Sequence, residues 1–203
     1  MKTLSYLKNV CLTLLLATLS VFSQNYEIGI TINTNTDTLI LAHYFTKRDR
    51  MLMNDSVILV NGSGVFSGDR ELPKGVYFIA TRDGRWLFDI MMGDNQQFNI
   101  IADTADILLN KFTSSPDNDV FYEFQRYNTE RGRLFQQMNE QFRNATSDEE
   151  RLNLRNDLQA IMNDRIKYIE DLIEANSHLY VSKWLRTLIP VETYVPDPPR
   201  DAE

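Results

Sequence analysis

Few residues in this chain are placed to do chemistry. The stretch NGSGVFSG, Asn61 to Gly68, carries three glycines spaced G-x-G-x-x-x-G, close to the pattern of a loop that wraps a phosphate in backbone amides. Such a loop needs a helix directly after it, because the first helical turn supplies the amide donors and the positive end of the dipole. Here Asp69-Arg70-Glu71-Leu72-Pro73 follows, acidic and broken by proline, and no Gly-Lys-Ser/Thr occurs. Asn61-Gly62 between alternating apolar residues is instead a direct hairpin signal, since both residues accept positive φ. The glycines are expected to shape a turn.

Other candidates for chemistry have bland readings. His43 follows Leu39, Leu41 and Ala42 in a strand-like run, and His178 stands between helical segments. A divalent metal site needs three or four converging ligands, and no H-x-x-x-H or His/Asp cluster is present. The acid pairs Glu149-Glu150 and Glu170-Asp171 lie in helical patterns among Lys and Arg, where a solvated charged face is the default. G-x-S-x-G is absent, and no serine pairs with a histidine and an acid. No catalytic residue, metal or cofactor is therefore implied. The formal charge of −7 argues against a nucleic-acid partner, because the basic surface that would displace counterions from phosphates is missing.

The elements that must position these residues begin with an export signal, residues 1–23. Lys2 and Lys8 precede the uncharged run from Val10 to Phe22, and Val21 and Ser23 stand at −3 and −1 of a cut between Ser23 and Gln24. About 13 residues at about 1.5 Å each reach about 20 Å, short of a hydrocarbon core of roughly 30 Å. No transmembrane span is expected after the signal is removed. The single cysteine, Cys11, lies inside the apolar run rather than at its end, where a lipid acceptor would stand. Removal of the signal leaves a chain without cysteine, which can neither do thiol chemistry nor be stapled by disulfides.

Residues 24–113 read as a β module of about seven short strands, with period-2 alternation cut by turn residues. Ile28, Ile30 and Ile32 alternate with Gly29 and Thr31; Thr38 to Phe45 follows, then the charged loop TKRDR, a run from Met53 to Val60, and the short GVFS. Val76 to Thr81 and Trp86 to Met92 are joined by Arg82-Asp83-Gly84-Arg85, a hairpin expected to be type I′ with both central residues at positive φ. Gln96 to Ala102 completes the set. The pattern is that of an antiparallel sandwich or barrel-like module.

Residues 114–189 read as a helical spacer, which makes the fold class α+β. Ser115-Pro116-Asp117 has the form of a helix start with a hydroxyl cap, and Val120, Phe124, Tyr127, Leu134 and Met138 share one face. Ser147 and Glu150 match a capping box, ahead of a face with Leu158, Ile161, Met162, Ile169, Leu172 and Ile173. Joined across Asn144 to Thr146, the two long helices should form an antiparallel hairpin. A shorter helix near Tyr180 to Leu188 follows, and residues 190–203 form a proline-rich linker or tail.

One part of this pattern resembles a known family. Asp55, Ser56, Asn61, Gly62, Phe66 and Gly68, followed by Gly75-Val76-Tyr77, resemble the β module that precedes thioredoxin-like domains in envelope thiol-disulfide oxidoreductases of the TlpA and ResA type in Gram-negative bacteria. Ser114 to Asn128 resembles the helix entry after that module. The resemblance implies location in the periplasm or cell envelope, and a C-x-x-C domain after the helical spacer. This chain reaches Glu203 within the linker, so an accessory region is expected, with catalysis supplied by a domain outside these 203 residues.

Two functions follow. The chain is a non-catalytic accessory region that positions, dimerises or recognises partners for a thioredoxin-like domain, or it is a self-standing exported protein that binds a ligand or envelope partner. For the first, a homodimer through the helices would use Phe121, Phe135 and Phe142. For the second, Tyr77, Phe78, Trp86 and Phe88 lie on adjacent strands, so one parity should face the core and the other could form a patch for peptide or sugar.

Overall fold

A computed structural model of the chain describes residues 25–44 and 51–190. The expected export signal, its cut at Ser23 and Gln24, the TKRDR loop and the tail from 191 onward lie outside the described residues.

Within them the chain is α+β. Strands β1 (Tyr26–Ile32), β2 (Thr38–Tyr44), β3 (Met51–Ile58), β4 (Ser63–Gly68), β5 (Gly75–Thr81), β6 (Trp86–Met92), β7 (Gln97–Ala102) and β8 (Lys111–Thr113) precede helices α1 (Pro116–Asn144), α2 (Asp148–Ala175) and α3 (Tyr180–Arg186). The strands form two four-stranded sheets, ordered β4-β1-β7-β8 and β3-β2-β5-β6. The sheets stay separate and do not close into a barrel. Pairing is antiparallel except between β1 and β7, where Ile28 lies beside Phe98 and Ile30 beside Ile100 in a parallel ladder. The chain builds the whole second sheet between these two strands, and so long a crossover allows the parallel direction that a tight hairpin forbids.

Alternation places the core. In β1 the odd positions Ile28, Ile30 and Ile32 are buried while Glu27 and Thr31 face solvent. They meet Leu39, Leu41, Phe66, Tyr77, Ile79, Phe88, Ile90, Phe98 and Ile100 in one core drawn from both sheets. Each such side chain contributes roughly 1.5–3 kcal/mol on burial. The continuous run LILA of β2 has a different cause: Ile40 and Ala42 are buried on the other face, with Phe78 and Ala80, so this strand is covered on both sides.

The helices pack outside the second sheet. Val120, Phe121, Tyr122 and Phe124 of α1, with Ile169, Leu172 and Ile173 of α2 and Val181 and Leu185 of α3, bury Met91 of β6. The face expected on the long helices needs correction. Leu134 and Met162 are exposed, and Phe121, expected to be presented to a partner, is only 1% exposed. The base of the hairpin packs against the body, so a wider set of α1 residues is covered there, while beyond Phe124 no residue of α1 is buried.

Both helix starts differ in detail from expectation. The Ser115 side chain does not cap α1; its oxygen accepts from the side-chain Nδ2–H of Asn118 at 2.8 Å. Ser147 does cap α2, accepting from the Glu150 amide at 3.2 Å, but Glu150 reaches back to the Thr146 amide rather than to that of Ser147. The β5–β6 hairpin also departs from type I′. Gly84 has φ of 84°, whereas Asp83 is not among the positive-φ residues. Gly84 N–H donates to Thr81 O and Thr81 N–H to Arg85 O, both at 2.9 Å. This is the longer hairpin loop in which a single left-handed glycine follows the turn.

Candidate functional site

The residues of the family resemblance lie along the β1–β4 pair, with Asn61-Gly62 at its Ile32 end and Asp55 and Gly68 at its Tyr26 end. Asn61 and Gly62 adopt φ of 51° and 76°, and Val60 and Ser63 exchange backbone hydrogen bonds at 2.8 and 3.1 Å around them. This is the expected two-residue turn. It does not open into a paired hairpin, because β3 and β4 diverge into different sheets and only the Val60–Ser63 bridge joins them. Gly62 also accepts from Ile32 N–H at 2.8 Å, and a Cβ at Gly62 would stand 2.8 Å from Ile32 O. The turn is thus pressed against the end of β1, with no helix following and no room for phosphate chemistry at that glycine.

Asp55 acts at the other end of the β1–β4 pair. Its carboxylate accepts from the Tyr26 hydroxyl at 2.9 Å, from Ser67 N–H at 3.1 Å and from Ser56 N–H at 2.7 Å, tying β3 to β1 and β4. A side chain at Gly68 would collide with the Tyr26 ring, and Phe66 is fully buried in the shared core. Burial, then the Asp55 hydrogen bond and charge, raise the Tyr26 phenol above its ordinary range. Ser56 is exposed and adds only its backbone to the ladder opposite Ile40. These six positions are architectural.

The histidines and acid pairs do not converge. His43 Nδ1 lies 2.6 Å from Asn54 Oδ1 and its ring packs 5.1 Å from that of Tyr77, while His178 is exposed. Among the described residues no three His, Cys, Asp or Glu side chains gather in a metal-binding group. Glu149, Glu150 and Glu170 are exposed, and Asp171 pairs with Lys167 at 3.0 Å along the same helix.

The aromatic residues of β5 and β6 divide between the two faces, but not by parity alone: Trp86 and Phe88 stand two residues apart on β6, and the register shift between Ile79 and Ala80 separates them. Tyr77 and Phe88 enter the shared core; the buried Tyr77 hydroxyl has no hydrogen-bond partner among the described residues, and burial pushes its pKa up to about 12. Phe78 and Trp86 stand on the other face. There, between sheet and helices, runs a groove of about 580 Å³ lined by Val76, Phe78, Trp86, Asp89, Phe121, Gln125 and Trp184. The chain has only two tryptophans, and both line this groove.

The groove is rigidly walled. Trp86 is 44% exposed, yet its Nε1–H donates to Asp89 Oδ1 at 2.7 Å. The Tyr122 hydroxyl holds the Asp89 carbonyl at 2.9 Å and in turn accepts from the Asn110 amide at 3.1 Å. Trp184 is braced edge-on by Phe121 and Phe124, with ring centroids 5.0 and 5.7 Å away. The helical wall is set by the first turn of α1. Fully buried Asn118 brackets Met91, accepting from its N–H at 2.7 Å and donating to its carbonyl at 2.8 Å. Asp117 accepts from Val181 N–H at 2.8 Å and fixes α3. Gly93 is required here, since a Cβ would meet the Asp117 carboxylate.

Among the described residues Asp89 is the only ionisable one of the lining. Sequence reasoning singled out Trp86 and Phe78 but not Trp184, Gln125 or Asp89. Trp184 sits on a seven-residue helix whose docking depends on the Asp117 contact, a relation with no local signal. No family model, no curated protein and no solved structure matches the chain.

Proposed function

We propose that the protein is a non-catalytic recognition module, exported to the periplasm or cell envelope, that binds a ligand or partner in the groove between β5–β6 and the helices. The observation that supports this is the convergence of both tryptophans, from β6 and α3, on one groove. Affinity capture from envelope extracts with the wild-type chain and with Trp86→Ala tests it. A partner recovered by the wild type and lost with the variant is expected; equal recovery by both refutes the groove as the site.

A second reading is the accessory region of an envelope thiol-disulfide oxidoreductase. It is favoured by the tight packing of Asp55, Gly62, Phe66 and Gly68 along the β1–β4 pair, which would make the module a stable platform for a neighbouring C-x-x-C domain. Joined to such a domain, the chain should alter substrate choice or rate of disulfide reduction; kinetics identical to those of the isolated domain would sink this reading. A homodimer through the helices belongs to the same proposal. The half-buried Phe135 and Phe142 and the exposed Leu134 and Met162 would supply its surface, and sedimentation equilibrium showing a single-chain mass would remove it.

A further inference from the structure

The outer face of the second sheet is closed to water beyond the reach of the helices. Ile40 and Ala42 of β2 with Phe78 and Ala80 of β5 form a cluster of their own, none more than 7% exposed, to which no residue of α1, α2 or α3 belongs. Alanine is too short to bury itself on the face of a sheet, and such a face stays apolar only under a covering layer. The helical cluster reaches no further than Met91 of β6 and Val76 of β5. Phe78 belongs both to this cluster and to the lining of the groove, so groove and cluster make one apolar trough from α3 across β5 to β2. Its cover must bring apolar side chains.

The sequence carries such a segment beside the trough. After α3 the chain is fixed: Leu188 N–H donates to Leu185 O at 3.0 Å and Ile189 N–H to Arg186 O at 3.3 Å, and both side chains pack on the helical cluster. Thirteen residues, VETYVPDPPRDAE, follow Pro190, and they start from the helix whose Trp184 walls the groove. A polyproline-type chain rises about 3.1 Å per residue, so five residues span about 15 Å, roughly three strand spacings. Val191, Tyr194, Val195, Pro196, Pro198 and Pro199 supply apolar surface, and proline-rich chain is the kind that docks on aromatic-lined grooves at low entropic cost. The loop TKRDR between β2 and β3 is the alternative, but four of its five residues are charged, and hydrocarbon is a poor place for them.

We propose that residues 191–203 dock back into this trough, with Tyr194 as the aromatic anchor beside Phe78 and Trp86. Docking of the tail needs only the trough; its consequence for a partner rests on the groove being the partner's site. Tethered to α3, the tail stands at an effective concentration of the order of millimolar, so an envelope partner binds by displacing it.

Both tryptophans line the groove, so acrylamide quenching of the fluorescence of the full chain reads whether it is covered. Tyr194→Ala, and separately the triple variant Pro196→Gly, Pro198→Gly, Pro199→Gly, should raise quenching, while every residue of the two cores stays in place. Calorimetry should show a synthetic VETYVPDPPRDAE peptide binding the Tyr194→Ala chain saturably, and the wild type at least about tenfold more weakly because the tethered tail competes. Adding Trp86→Ala to the Tyr194→Ala chain should weaken the peptide at least about tenfold. Quenching that neither tail variant changes, or absence of peptide binding to the Tyr194→Ala chain, overturns the inference. A rise with Phe45→Ala and with neither tail variant assigns the cover to the β2–β3 loop and overturns it too, as does wild-type quenching that rises on dilution, which assigns the tail to a second copy. Envelope capture strengthened by Tyr194→Ala is expected. Capture lost with Trp86→Ala while the tail variants alter nothing overturns the tail and leaves the groove as the partner's site.

Discussion

Asp55 shows how one side chain can hold two sheets. Its carboxylate serves Tyr26 of β1, the Ser67 amide of β4 and the neighbouring Ser56 amide from a position on β3, so its removal takes the acceptor from three donors. Asp55→Ala should cost about 1–3 kcal/mol, read as a lower urea midpoint with unchanged slope. The tyrosines give a second test at this scale. Burial raises the Tyr77 pKa to about 12, above the ordinary value of about 10, and burial raises Tyr26 and Tyr122 as well. A phenol with a raised folded-state pKa contributes its full stability below the unfolded value and loses it as pH climbs through the folded one. Stability should thus hold up to about pH 10 and fall toward pH 12, with the buried phenolates appearing by absorbance only as the protein unfolds.

At the scale of elements, two glycines make opposite predictions. Gly62 sits at φ of 76° against the Ile32 carbonyl, so Gly62→Ala should destabilise by more than about 1 kcal/mol and loosen the corner between β3 and β4. Gly132, in the middle of α1, has nothing within 4 Å of a Cβ, and Gly132→Ala should stabilise by about 0.5–1 kcal/mol. Thermal melts of the pair check both signs. The contrast shows why glycine in a turn and glycine in a helix carry different meaning: one meets a backbone requirement, and the other is tolerated because the hairpin stands clear of the body there.

The whole molecule is unevenly consolidated. One core joins the two sheets and a second joins β6 to the helix base, while α1 buries no residue beyond Phe124 and α2 buries only Ile161 before Ile169. Few buried contacts mean low local opening free energy. Hydrogen exchange should therefore be fastest, within the long helices, over residues 129–144 and 148–160, and slowest at Val120 to Phe124 and Ile169 to Ile173. Uniform protection along both helices would show that another surface covers the distal hairpin. The groove lies at the consolidated end, which suits a site that must keep its walls fixed.

Local rules carried much of this structure. Alternation at Ile28, Ile30 and Ile32, the positive-φ tolerance of Asn61-Gly62, the Ser147 cap and the parity of Tyr77 against Phe78 are all settled by neighbours in sequence, and each was legible there. What could not be read depended on residues far apart along the chain. The parallel β1–β7 pair, the Tyr26–Asp55 tie and the docking of α3 through Asp117 and Val181 arise because closure of the core brings distant segments into register, and no local preference encodes that. NGSGVFSG spans both classes: its turn was written in two residues, but its role as the corner between sheets followed from where Ile32, Tyr26 and Asp55 came to rest. Likewise the sequence contained two tryptophans, and only packing of α3 beside β6 made them one groove.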